Sequence, residues 1–260
     1  MKFSFGMQSH PWYSKRIDDY AFAAAELGFG WLEVTFEYFT SPSFLKAGHA
    51  ARLKKVSESA GIKLTGHMPY LLSSVNFNPE VTSVMRRIFL KAIDFSGRAG
   101  IETLTLHPPY GSGVDSEIVL KWLHAAEKRE FKAIGRYAER AGVKIAIENL
   151  TDTADDIGRY MDSFGFFFTF DIGHWNISGK EEGYSLFAGK FKRRLVNVHI
   201  HDNNGKEDEH LPIGKGRIGW RSFFSMLKRL KYAGPIIIEN KDMEGIVSSV
   251  GYLKHIKVWK

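Results

Sequence analysis

"ERAGVKIAIENL", residues 139–150, decides how this chain is read. Three signals meet in it. A charged helical stretch runs into Ala141-Gly142, and a glycine just past the last turn is the ordinary helix stop. "VKIAI" follows, a nearly continuous apolar run, which is how a parallel strand buried on both faces reads. An acid, Glu148, closes the strand.

The same unit recurs along the chain. Glycine also ends the helical patterns in "AELGFGW", "SESAGIK", "GRAGIE" and "KYAGPI". Strands are predicted at 2–6, 31–35, 62–67, 102–107, 143–148, 166–171, 195–200 and 235–240. Helices are predicted at 15–27, 43–60, 80–99, 115–141, 220–231 and 243–257, with weaker ones at 153–163 and 180–191. Eight strand–helix units in 260 residues match an α/β chain folded as a single (β/α)8 TIM barrel in both count and length. A doubly wound open sheet is the rival, and it lacks its usual support: no GxGxxG follows the first strand. With no linker and no low-complexity segment, residues 1–260 read as one domain.

Composition narrows the class further. Hydrophobic residues make up 44% and charged residues 25%, an ordinary globular mixture. Cysteine is absent, which excludes disulfides, thiolate ligands and a Cys nucleophile. "MKFSFGMQSHPWYSK" has no apolar run long enough for a signal peptide, and no 18-residue apolar stretch occurs, so no membrane span and a cytoplasmic location are expected. The net charge of +7 is spread over helix faces in "RLKKVSE", "EKREFK", "GKFKRR" and "LKRLK", which reads as a solvated exterior.

In a barrel, chemistry gathers where strands end and βα-loops begin. Here nearly every strand end carries a possible metal ligand. Glu33 lies on strand two, His67 ends strand three, and His107 ends strand four. Glu148 ends strand five, and Asp171 ends strand six with His174 just beyond. Strand seven carries His199, followed by His201 and Asp202, and Glu239 ends strand eight; His10 follows strand one. One such residue is ordinarily a hydrogen-bonded strand end. A ring of carboxylates converging on one mouth is different, because unpaired like charges a few ångströms apart repel and shift one another's pKa values. A divalent cation relieves that repulsion, and His, Asp and Glu without Cys suit Zn²⁺, Mn²⁺ or Co²⁺.

"GHMPY", "TLHPPYG", "IAIENL", "FDIGHWNISG", "VNVHIHDN", "DEHLPIGKGRIGW" and "IIIEN", in this order, resemble the xylose isomerase-like TIM barrel superfamily, which also contains endonuclease IV. The resemblance covers essentially the whole chain. Its sugar isomerase and epimerase branch implies one divalent ion on Glu148, Asp171, His199 and Glu239, with Glu148 and Glu239 also moving protons at a sugar carbon and His174 contacting substrate. Its endonuclease IV branch implies three zinc ions, adding His67, His107, His174, Asp208 and His210, and a phosphodiester substrate in DNA. One to three ions are therefore expected.

Each branch departs from this chain somewhere. The endonuclease branch reads "DTCH" and "HPG" where this chain has "DIGH" and "HPPYG". The tagatose-type epimerases carry an arginine after the strand-seven histidine, where this chain has "NNGKED". A metal-dependent isomerase or epimerase acting on a sugar or sugar phosphate is thus the first expectation, and a zinc phosphodiesterase the alternative. Tyr70 would shape the substrate pocket, and Lys215 and Arg217 in "GKGR" would hold a phosphate. Trp12, Tyr13, Tyr38 and Phe39 would stack on bases or cover a sugar. The sequence leaves the oligomeric state open.

Overall fold

The computed structural model describes residues 2–9, 16–109, 116–178 and 183–259. His10, Trp12 and Tyr13 lie outside them. Eight strands form a closed, all-parallel barrel in chain order: β1 (Ser4–Gln8), β2 (Trp31–Thr35), β3 (Lys63–His67), β4 (Thr103–Leu106), β5 (Lys144–Glu148), β6 (Phe167–Asp171), β7 (Leu195–Ile200) and β8 (Pro235–Ile238). Around them run α1 (Ile17–Glu26), α2 (Ala47–Ala60), α3 (Pro79–Ala99), α4 (Glu117–Arg140), α5 (Ala154–Phe164), α6 (Ile172–Ile177), α7 (Tyr184–Lys190), α8 (Trp220–Arg229) and α9 (Met243–His255). The chain is a single (β/α)8 TIM barrel. Among the described residues no helix is long and apolar enough to cross a membrane.

Every predicted strand and helix is present among the described residues, with ends moved by a few residues; residues 15, 115 and 180–182 of those predictions lie outside them. Two elements were not expected: the one-turn α6 and a 3-10 turn at Tyr38–Thr40. β1 lies two residues later than predicted, which carries Gln8 to the mouth of the barrel.

The glycine stop holds at Gly28, Gly61, Gly100 and Gly142, all left-handed, but not in "KYAGPI", where α8 ends at Arg229 and Lys231, not Gly234, takes the left-handed conformation. Gly142 has φ 70°, a left-handed conformation that a Cβ disfavours by about 1–2 kcal/mol. Gly142→Ala should therefore cost about 1 kcal/mol, a fall of roughly 2–4 °C in Tm for a chain of this size, measurable by calorimetry.

Side chains alternate along a strand with period two, so residues i and i+2 share a face. Applied to β3 through β8, this stacks Thr65 under His67, Thr105 under His107, Ala146 under Glu148, Thr169 under Asp171, Asn197 under His199 and Ile237 under Glu239. Bonds between non-adjacent strands show that the lower row points inward. Thr105 and Thr169 hydroxyls meet at 2.9 Å, and Asn197 Nδ2 donates to Glu33 Oε2 at 2.8 Å. The barrel therefore holds a polar layer beneath a ring of ligand-type side chains at its C-terminal mouth. Its outer wall is apolar, with Phe168 and Phe170 of β6 packed against Phe187 of α7 and Phe223 of α8.

Candidate metal centre

Glu148 is the centre of the ring. It is fully buried at the end of β5, and its two oxygens face different partners. Oε2 lies 3.3 Å from His67 Nε2 and 3.1 Å from His107 Nε2. Oε1 lies 3.0 Å from His199 Nδ1 and 3.3 Å from His174 Nδ1. Burial opposes its charge, but His199 and His107 hold the carboxyl well below the ordinary carboxylate range.

Two groups of ligand-type atoms share this glutamate, each gathered within 4.8 Å. His67, His107 and Glu148 form one; Glu148, Asp171, His199 and Glu239 form the other. His199 Nδ1 also lies 2.9 Å from Glu239 Oε1. A third group, His174, His201, Asp208 and His210, sits beside them. Asp208 Oδ2 is 3.3 Å from His174 Nε2 and 3.1 Å from His210 Nε2.

The donors are held by their own supports. His67 Nδ1 donates to the Met68 carbonyl at 2.8 Å, which turns Nε2 toward Glu148. His210 Nδ1 donates likewise to the Glu239 carbonyl at 2.8 Å. His210 also has φ 48°, a backbone region a non-glycine residue occupies only when its surroundings impose it. Asp171 caps α6, accepting from the His174 amide at 2.6 Å, so one turn fixes both residues.

Glu33, read as a possible ligand, sits in the layer below. It accepts from Gln8, Thr65 and Asn197, and faces His199 Nε2 at 3.1 Å. Its carboxylate thus orients the ring nitrogen of His199 that faces away from Glu148, as carboxylates behind metal-binding histidines do. Gln8 spans both layers, donating to Glu33 and to Glu239. Burial opposes the charge of His199, yet Glu239, Glu33 and Glu148 raise its pKa well above the usual value. Burial opposes the charge of His210, but Asp208 and Glu239 push its pKa up to about 9.

These residues fit divalent cations. Ligand bonds of about 2.0–2.1 Å in a tetrahedral site set donor atoms roughly 3.3 Å apart, and the separations above cluster there. Among the described residues, Asp171 Oδ2, His107 Nδ1 and His174 Nδ1 are also buried with no hydrogen-bond partner.

Above the ring opens a cavity of about 680 Å³. His67, His107, His174, Asp208, His210 and Glu239 form its floor; Tyr70, Leu150, Thr151, Ile177, Asn240 and Lys241 form its sides. Burial raises the Tyr70 phenol above its ordinary pKa, so it stands at the rim as a neutral hydroxyl. Tyr38 and Phe39 are exposed on the turn after β2.

Lys215 and Arg217 are not in the cavity. Both are exposed, and "GKGR" instead wraps a buried carboxylate, Asp202. Asp202 accepts from the amides of Asn203, Gly214 and Ile218 and from Trp220 Nε1. The phosphate-binding role expected of this turn is replaced by a structural one. Sequence reading also missed what Gln8, His201 and Asp202 do; the alternation of "NVHIHDN" puts His199 and His201 on one face, which was the available signal for His201.

Residues 22–256 match the xylose isomerase-like TIM barrel family. An uncharacterised protein of Methanocaldococcus jannaschii is 28% identical over 96% of this chain and 88% of its own length. A probable endonuclease 4 of Aquifex aeolicus is 25% identical over 62% of this chain and 64% of its own length. Among solved structures, a D-tagatose 3-epimerase-like protein superposes with TM-score 0.84 at 26% identity, over 97% of this chain and 96% of that one. With the closed barrel and ligand-rich mouth, the match over most of its length means that this chain belongs to the xylose isomerase-like TIM barrel family.

Proposed function

We propose that this chain is a metal-dependent hydrolase that cleaves a phosphate ester bond on a sugar-containing substrate, with a cluster of divalent ions at the barrel mouth. The observation that carries this is Glu148. A proton-shuttling glutamate needs an oxygen that is open to substrate. Both oxygens of Glu148 are turned to histidines on opposite sides, the arrangement of a carboxylate bridging two cations.

Divalent ions bound here supply positive charge that neutralises a phosphoryl group and lowers the pKa of water. Glu148 would join two of them, His67 and His107 flanking one and Asp171, His199 and Glu239 the other. Glu33 fixes the orientation of His199. Tyr70 and Lys241 at the rim give a neutral hydroxyl and a cation for substrate oxygens, while Leu150 and Ile177 shield one side from water. A cavity of about 680 Å³ suits a substrate of one or two rings. In a DNA substrate it would admit a single extruded residue.

Sugar isomerisation, the first expectation from the sequence, is the second reading. Full-length likeness to a D-tagatose 3-epimerase-like protein favours it. It would use Glu148 and Glu239 as the acid–base pair over a single ion.

Metal content separates the two. Protein purified without chelator should carry two or three ions per chain by plasma mass spectrometry. It should cleave bis(p-nitrophenyl) phosphate or a tetrahydrofuran-containing duplex. One ion per chain, with epimerisation of a ketose and no diester cleavage, would overturn the hydrolase reading in favour of the second.

A further inference from the structure

Positive charge that is scattered along the sequence gathers at one end of the folded chain. In a parallel barrel the strand starts, and the helix ends that lead into them, lie opposite the mouth. Among the described residues this end comprises the last turn of each helix leading into a strand, the loop after it and the strand's first residue, with the chain ends beside β1. It carries fourteen lysines and arginines against five aspartates and glutamates, an excess of nine, whereas the whole chain has +7. Helix C-termini attract cations, because each bears about half a negative charge. Eight helices end here, which matches roughly four of the nine charges. The rest are unmatched.

Two clefts open at this end. One, of about 560 Å³, is lined by Lys132, Arg136 and Lys144 with Phe164 and Phe167. The other, of about 300 Å³, is lined by Lys2, Lys228 and Lys257 with Phe3 and Trp259. Among the described residues none of these six cations is in an ion pair. Lys144 Nζ rests 5.6 Å from the centre of the Phe167 ring, and Lys228 Nζ 5.9 Å from that of Phe3. At the start of β3, Lys63 Nζ lies 5.4 Å from the Trp31 ring. An ammonium resting on a ring is already placed, so it loses less rotamer freedom when an anion binds. Among the described residues no large apolar side chain is exposed at this end, which leaves nothing to enter a lipid surface.

We propose that this end of the barrel binds single-stranded nucleic acid, with phosphates on the lysines and unpaired bases in the two clefts. Single strands bind where a basic surface is interleaved with aromatic side chains, which is the arrangement here. Clefts of this volume admit an unpaired nucleotide and exclude a duplex. The surface lies at the opposite end from the metal centre and does not depend on it.

The test is fluorescence anisotropy of a labelled DNA strand of about 20 nucleotides, titrated with the full chain over a range of salt. A triple variant, Lys63→Gln, Lys144→Gln and Lys228→Gln, removes the three ring-held cations. A control triple, Lys206→Gln, Lys215→Gln and Arg217→Gln, removes the same charge from exposed positions at the mouth end. Each phosphate contact on a single strand adds about −0.7 to the slope of log K on log salt, or about fivefold in affinity near 0.1 M salt. Wild type should bind with Kd of about 10⁻⁵ M or tighter near 0.1 M salt. The first triple, with thermal unfolding like wild type, should bind about 100-fold more weakly, its slope shallower by about 2. The control should stay within about threefold of wild type. Absence of wild-type binding would overturn the proposal. So would equal losses in the two triples, which would mean that net charge alone acts. Tighter binding to a duplex of the same length would overturn the assignment of single strands.

Discussion

Glu148→Gln should fold, bind at most one ion per chain, and lose activity by on the order of 10³-fold or more. The size follows from what the bridge holds. Metal stabilisation of a transition state is worth several kcal/mol, and each 1.36 kcal/mol is tenfold in rate. Glutamine keeps the volume of the side chain but loses its charge, and an amide nitrogen cannot ligate. Each flanking group then loses its shared anion: His67 and His107 on one side, Asp171, His199 and Glu239 on the other. The separate group of His174, Asp208 and His210 takes no ligand atom from Glu148, so an ion held there should remain. The fold should survive because β5 is held by main-chain pairing to β4 and β6. Metal analysis, circular dichroism and diester cleavage read the three outcomes separately. A variant retaining two or more ions and its activity would sink the bridging role.

The barrel and the ring could be read from sequence for one physical reason. Apolar runs ending in an acid or a histidine are short, and glycine marks the ends of α1 to α5, as in "ERAGVKIAIE". Period two then carries the ligand from the strand's end to the barrel interior. What could not be read depends on atoms brought together from distant segments. Nothing local says that Glu148 turns its two oxygens to opposite sides, yet this moves the weight from proton transfer to a shared bridge. Glu33 looked like another strand ligand because its strand position resembles the others. Only the register, Glu33 beside Thr65 and not beside His67, lowers it a layer. "GKGR" failed for the opposite reason: a basic glycine-rich turn suggests a phosphate, and the anion it wraps is the protein's own Asp202.

That buried aspartate yields the second large effect: Asp202→Ala should destabilise the chain by about 3–5 kcal/mol and empty the site that holds His210. Asp202 is fully buried and carries four hydrogen bonds, from Asn203, Gly214 and Ile218 amides and from the Trp220 indole. Removing it strands four buried donors, each costing about 1–3 kcal/mol if left unmade, with partial recovery as the loop relaxes. For this size of chain the fall in Tm is roughly 6–20 °C. The consequence for metal is specific. The main chain of Asp202 pairs with Leu211 in both directions, at 2.9 and 2.8 Å, and so closes the loop that presents Asp208 and His210. His210 sits in a left-handed conformation that this closure helps to hold, beside its bond to the Glu239 carbonyl. Once the loop slackens, Asp208 and His210 separate and their ion is released. The Asp202 side chain makes no hydrogen bond to the strand-end groups around Glu148, so ions held there should stay. Thermal unfolding and metal analysis on Asp202→Ala, with Asp202→Asn keeping part of the hydrogen bonding and an intermediate Tm, check this. A Tm within 2 °C of wild type, or loss of all ions together, would show that the loop and the ring are not separate units.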